Sequence, residues 1–283
     1  MPASCLMGFP AIHPETDRSI TRRRVLQCTL AGVTALCLPR LTTAQSWRGI
    51  ATIRDWIGDA KLSDEALLMG LPLVAEDGSA VPLTVNAGLD PSRSPIRRLA
   101  VFAPGNPTAS VAEFDFGQEI NTLNLSTRIR LSESQTVIAI AHMDDGRVMI
   151  AGRDVRVTTS GCIAPGQPDS ANEMKARVRV PKTWKQGTTG EVLTMITHPM
   201  TTGLAADAAG VTPPQRIIKT FSATLGDRPL IKATYYRSLS MNPYLRFEVT
   251  PRQSGELRFE WIEDTGRAVA YKETLRLDSP SVS

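Results

Sequence analysis

The sequence predicts an all-β protein: two β-sandwich domains in tandem, with a short N-terminal helix after a removable leader. Three observations predict it. Short apolar runs bounded by turn residues recur along most of the chain, the pattern of many short strands. Aromatics make up 5% of residues against 20 Gly and 20 Pro, a balance that suits turns better than long helices. Two such strand series flank one segment rich in Gly, Pro and small polar residues. With 283 residues, 42% hydrophobic and 21% charged, the chain is long and apolar enough for a packed core, which excludes wholesale disorder.

Residues 1–44 read as a twin-arginine export signal. Thr21-Arg22-Arg23-Arg24-Val25-Leu26-Gln27 places paired arginines before an uncharged stretch, Val25 to Leu38. Those fourteen residues would make about 21 Å of helix, short of a hydrocarbon core roughly 30 Å thick. Pro39 breaks the stretch, and Thr42-Thr43-Ala44 offers small residues for cleavage. Leu36 before Cys37 and Gln27 before Cys28 argue against a lipoprotein. The expected location is the periplasm, with no membrane attachment after cleavage. The leader holds most of the net charge of +4, and the rest carries no basic stripe with interleaved aromatics. Nucleic acid is therefore not an expected partner.

After the leader, Trp47, Ile50, Ile53 and Ile57 recur at helical spacing through Ala60, an amphipathic helix with Trp56 beside its stripe. Leu71–Val74 and Val81–Val85 flank Glu76-Asp77-Gly78 and read as a hairpin. Strands are expected at Ile96–Phe102, Val111–Phe116, Thr127–Leu131, Val137–His142 and Val148–Ile150, with Asp144-Asp145-Gly146 turning between the last two. Arg153–Thr159 alternates as a half-buried strand. Ser160 to Asn172 reads as linker or exposed loop. The second series follows at Ala176–Val180, Glu191–Thr197, Ile217–Leu225, Leu230–Tyr235, Tyr244–Thr250, Leu257–Ile262 and Val269–Leu277, closed by the turn Asp264-Thr265-Gly266. Each series spans roughly 110 residues, enough for one immunoglobulin-like sandwich. The expected domains are residues 47–167 and 173–279.

Of four cysteines, Cys5, Cys28 and Cys37 lie in the leader, so the mature chain keeps one thiol, Cys162. An exported chain with a single thiol has no internal disulfide, and the thiol is either packed as a small hydrophobe or bonds something outside the chain. Gly161 on one side and Ala164-Pro165-Gly166 on the other favour an accessible thiol on a movable arm, with Gly161 and Gly166 supplying freedom. Arg153 and Arg156 are close enough in sequence to favour the thiolate. Catalysis by the chain itself is not expected. His142 and His198 lie in no metal or triad motif, the carboxylates form no readable acid–base pair, and no Gly-rich phosphate loop is present. Neither a metal site nor a resident cofactor is expected.

The second half resembles SoxZ. Ala176-Arg177-Val178-Arg179-Val180-Pro181-Lys182 carries the resemblance, with Thr197-His198-Pro199-Met200, Thr202-Gly203, Ile217-Ile218-Lys219, Asn242-Pro243-Tyr244 and Phe259-Glu260-Trp261 in order. The first half resembles SoxY through Leu71–Gly78, Val81–Val85, Asn106-Pro107 and Ser126–Arg130, and Val155 to Cys162 is similar to the strand leading into the SoxY cysteine arm. Together they resemble the fused carrier named for its association with quinoprotein dehydrogenases. The resemblance implies two immunoglobulin-like domains packed on each other. It also implies a cysteine, here Cys162, that holds sulfur intermediates covalently, as in thiosulfate oxidation, and presents them to separate periplasmic enzymes. One departure stands out. The SoxY arm ends Gly-Gly-Cys-Gly-Gly at a free terminus, whereas here Ser160-Gly161-Cys162-Ile163-Ala164-Pro165-Gly166 runs on into a second domain. Thiosulfate as cargo therefore does not follow.

Two functional readings result. The first is a periplasmic covalent carrier of a sulfur compound, acting on Cys162 with separate redox enzymes: a cytochrome, a sulfur-oxidising enzyme or a quinoprotein dehydrogenase. The second is a non-catalytic binding or assembly partner of an exported quinoprotein dehydrogenase, with the cysteine incidental. A monomer is expected, because the two halves satisfy each other. A free-standing cysteine hydrolase would need a base beside Cys162.

Overall fold

The computed structural model describes residues 47–87, 94–161, 173–206 and 210–278. The leader, Cys162, Gly166 and the rest of 162–172 lie outside the described residues. One helix, α1 (Ala51–Ile57), opens the described chain. It is shorter than the expected Trp47–Ala60 segment, because residues 47–49 form a 3₁₀ turn and Gly58, at φ 57, ends the helix. Ile53 and Ile57 are buried, as the stripe requires. They pack on Ala100, Phe102, Ile138, Ile140 and Val148, a small core separate from the main one.

The strands of the first half are β1 (Lys61–Leu62), β2 (Leu68–Gly70), β3 (Val74–Asp77), β4 (Val81–Asn86), β5 (Ile96–Phe102), β6 (Ser110–Phe116), β7 (Asn124–Ile129), β8 (Gln135–Met143) and β9 (Arg147–Thr159). Those of the second are β10 (Ala176–Arg179), β11 (Trp184–Lys185), β12 (Gly190–Ile196), β13 (Ile218–Leu225), β14 (Arg228–Tyr235), β15 (Tyr244–Val249), β16 (Gly255–Glu263), β17 (Ala268–Leu275) and β18 (Leu277–Asp278). Apolar residues alternate inward along most of them, as in the burial of Val81, Leu83 and Val85 on β4.

The fold is the expected pair of immunoglobulin-like sandwiches, but neither closes by itself. A ten-stranded sheet runs β1-β9-β8-β5-β6-β14-β13-β16-β17, with β3 added along β9. A six-stranded sheet runs β10-β12-β15-β7-β4-β2. Both sheets cross from one half to the other. The first crosses where β6 pairs antiparallel with β14, from Phe116↔Ile231 to Ala112↔Tyr235. The second crosses where β15 meets β7 at Arg246↔Ser126. One hydrophobic core fills the space between, taking Leu83, Phe114 and Ile129 from the first half and Phe221, Phe247 and Trp261 from the second. Edge strands that would otherwise expose backbone donors and acceptors thus satisfy each other.

The expected hairpin over Leu71–Val85 does not form. β3 instead pairs parallel with the far part of β9, Val74↔Arg156 and Ala75↔Val157, while β4 joins the other sheet. Glu76-Asp77-Gly78 is therefore a crossing between sheets, stabilised where Asp77 accepts from the Ser79 amide and hydroxyl, each at 2.7 Å. Val148–Ile150 and Arg153–Thr159 are one strand, because Gly152 sits in register opposite Ile138 without a break. The turns at Gly146 (φ 84) and Gly266 (φ 89) form as expected.

Candidate functional site

β9 delivers the chain to Ser160-Gly161, one residue short of Cys162, and a backbone knot holds that point. Gly161 N–H donates to Leu131 O at 2.9 Å, Leu131 N–H to Gly78 O at 2.8 Å, and Gly78 N–H to Thr159 O at 2.8 Å. Gly161 is buried, and a Cβ built on it would overlap the Gly78 carbonyl; one built on Gly78 would overlap Leu131 O. Close approach of two backbones, not conformational freedom, is what the described structure asks of Gly161. The hydroxyls of Ser132 and Ser160 flank this knot. Both Oγ atoms are buried without a hydrogen-bond partner among the described residues. Next to Leu131, the buried Arg130 reaches across to the second half, donating to Met200 O at 2.7 Å and Pro199 O at 3.3 Å.

The described chain resumes at Glu173, where a network of charge replaces backbone packing. Arg216 grips both Glu173 oxygens, at 2.6 and 3.1 Å, and Arg267 lies 3.4 Å away. Met174 N–H donates to Thr197 O at 2.8 Å. Beside them His198 is fully buried with every polar atom engaged. Its amide donates to Asn242 Oδ1 at 3.0 Å and its carbonyl accepts from Asn242 N–H at 2.8 Å. Nδ1 accepts from Met200 N–H at 3.0 Å, which fixes the proton on Nε2, and Nε2–H donates to Glu263 Oε1 at 2.8 Å. Among the described residues, the non-glycine positions with positive φ are Met174, Met200 and Asn242, and each bonds His198 or its neighbour Thr197. Left-handed backbone of this kind persists only where surrounding bonds enforce it.

The electrostatics follow from burial and partners. Burial pushes the His198 imidazole below its ordinary range, against the opposing pull of Glu263. Burial would raise Glu263, but the Thr265 hydroxyl, His198 and Arg216 together hold it below the usual carboxylate range. The ring is thus neutral and the carboxylate charged. Ligand atoms of Glu173, His198 and Glu263 lie within 4.8 Å of one another, a spacing that a metal ion could bridge. The donor set does not fit one. The Arg216 guanidinium already neutralises Glu173 and stands 3.9 Å from Glu263, and both imidazole nitrogens are spent on protein partners.

His142 lies elsewhere. Its Nε2 is 2.9 Å from Trp56 O and its ring meets the Trp56 ring edge-on at 4.6 Å, so it ties α1 to β8. Burial lowers its pKa. Nothing local in the chain marks the His198 network, because Glu263, Arg216 and Glu173 are scattered over ninety positions; the Thr197–Met200 run is the one available signal.

The chain matches two families in succession. Sulfur oxidation protein SoxY matches residues 53–162, and sulphur oxidation protein SoxZ matches residues 178–274. No curated protein matches it. Among solved structures, superoxide reductase (neelaredoxin) from Ignicoccus hospitalis is similar at 15% identity and a TM-score of 0.29, covering 32% of this chain and 80% of that one. Two single-substitution variants of that protein align alike, at 15% identity and TM-scores of 0.29, covering 35% and 33% of this chain and 82% of each of theirs. No helix among the described residues is long and apolar enough to cross a membrane. The two family matches, in order and covering most of the chain, make this a fused member of the SoxY and SoxZ sulfur-oxidation families.

Proposed function

We propose that the protein is a periplasmic carrier that holds a sulfur compound covalently on Cys162 and presents it to separate redox enzymes. The observation that carries the reading is the SoxY match, which runs through β9 and ends on Cys162. One feature supports it: the knot at Gly78, Leu131 and Gly161 fixes the backbone one residue before Cys162 in the chain. Loading joins the Cys162 sulfur to a reduced cargo sulfur in one S–S bond. Two S–H bonds are lost, two protons leave to water, and two electrons pass to a partner redox protein of the cytochrome class. Export by the twin-arginine route and a monomeric state belong to the same reading.

The test is the mass of the Cys162 peptide from protein taken directly from the periplasm, with and without reductant. A reductant-labile increment of one or more sulfur atoms, or of a sulfur oxyanion, is expected. A bare thiol that resists alkylation in the folded protein would overturn the reading. A second reading then leads, in which the chain is a non-catalytic binding or assembly partner of an exported quinoprotein dehydrogenase. The anchoring of the chain at both Gly161 and Glu173 favours it, since a segment held at both ends cannot enter a deep pocket by its tip.

A further inference from the structure

The outer face of the six-stranded sheet crosses the seam between the halves, and its side chains stand in ordered rows. Arg177, Met195 and Tyr244 are in register, and Arg128 continues the row, its guanidinium 5.3 Å from the Tyr244 ring centroid. The next row is Arg179, Leu193, Arg246 and Ser126. The third is Glu191, Glu248 and Asn124, with Asn124 Nδ2 donating to Glu248 at 2.7 Å. Leu193, Met195 and Tyr244 are half-exposed, apolar ground ringed by arginines. Met, Tyr and Arg are the residues that protein interfaces enrich.

Charge runs in one direction across these rows. The first two hold four arginines, and the third holds two glutamates. Arg246 is partly neutralised by Glu191 at 3.1 Å, while Arg177 and Arg179 form no ion pair among the described residues. The basic end adjoins a cleft of about 210 Å³ whose walls include Arg177, Met195, His198 and Glu173, the point at which the chain returns from 162–172.

We propose that this face docks an acidic, apolar-centred surface of a partner redox protein, with the partner's acids on the Arg177 and Arg179 rows. The inference rests on the carrier reading for the kind of partner, not for the surface itself. The charge gradient does two things. It steers an acidic partner toward the end at Glu173, where the described chain resumes, and the glutamate row turns away the reversed orientation. With four arginines against two glutamates, a second copy of the face holds too few acids to satisfy these rows, so the occupant is a foreign acidic surface.

The test places the photo-crosslinker p-benzoylphenylalanine at Leu193 in the full mature chain, in its native periplasm. A control places it at Lys232, exposed on the outer side of the other sheet. An adduct with an acidic redox protein is expected from Leu193 and not from Lys232. R177E/R179E should cut its yield by at least about tenfold with the thermal midpoint little changed. An adduct that survives the charge reversal, one made only with a second copy, or none at all would overturn the proposal. C162S separates the two readings. A persistent adduct alongside a cargo-free Cys162 in the wild type sinks the carrier and keeps the face, whereas loaded Cys162 without an adduct does the reverse.

Discussion

The two points that anchor residues 162–172 are built on opposite principles. At Gly161 the chain is held by three backbone hydrogen bonds and by the direct contact of two glycine backbones. At Glu173 it is held by a carboxylate between two guanidiniums, resting on the buried pair His198–Glu263. The first anchor's own bonds are all between backbone groups, so its tolerance is chiefly steric. Asp77, which caps the turn at Gly78 and is held below the usual carboxylate range by its bonds from Ser79, is charged at neutral pH. The second anchor responds to pH and salt. The two ends of the 162–172 interval are therefore held by different physics, packing at Gly161 and charge at Glu173.

The comparison can be broken first at His198. H198A leaves the buried Glu263 and the Met200 amide without their partner and opens a cavity, with an expected loss of about 3–4 kcal/mol in urea unfolding. A loss below about 1 kcal/mol would mean that the network is not the second anchor. G161A tests the other side. Its methyl must displace the Gly78 backbone, and a loss of about 2–3 kcal/mol is expected.

Titration sharpens the contrast. The folded His198 refuses a proton that the unfolded chain accepts below its ordinary pKa of 6.5, so stability falls as pH drops through that range. Glu263, held below its ordinary 4.5, adds a second loss as pH falls further. Urea midpoints measured from neutral pH downward should therefore decline in two stages. His142 shifts in the same direction, so H198A must be compared with H142A; the first stage should shrink in both. The smallest effect is at Glu173. E173Q should cost about 1 kcal/mol in dilute buffer and less in high salt, because its guanidinium partners are part-exposed.

What the sequence disclosed was what is local. The turns at Gly146 and Gly266, the stripe of α1 and most strand positions depend on neighbours within a few residues. The partner of β3 was not legible, since a Gly-centred turn between two apolar runs reads the same whether the runs pair with each other or pass to different sheets. The seams β6–β14 and β15–β7 were equally silent, because an edge that will be covered carries no composition of its own. At the site, a glycine beside the thiol suggests freedom in the sequence, whereas the structure packs Gly161 directly against Gly78. His198 lies in no sequence motif, and the bonds that engage its four polar atoms, with Glu263 and Arg216 among its surroundings, come together only in three dimensions.

The β6–β14 seam also sets a schedule. Phe116 waits for Ile231, roughly 115 residues further along, which is about 6–23 s of synthesis at ordinary elongation rates. During that interval the first half has been made through Cys162 but has two uncovered strand edges. The sequence through Cys162 is therefore made before the strand that completes its sheet, and the fold depends on late, distant pairing. Slow folding and a need for protection on the ribosome are the cost of putting both halves in one polypeptide.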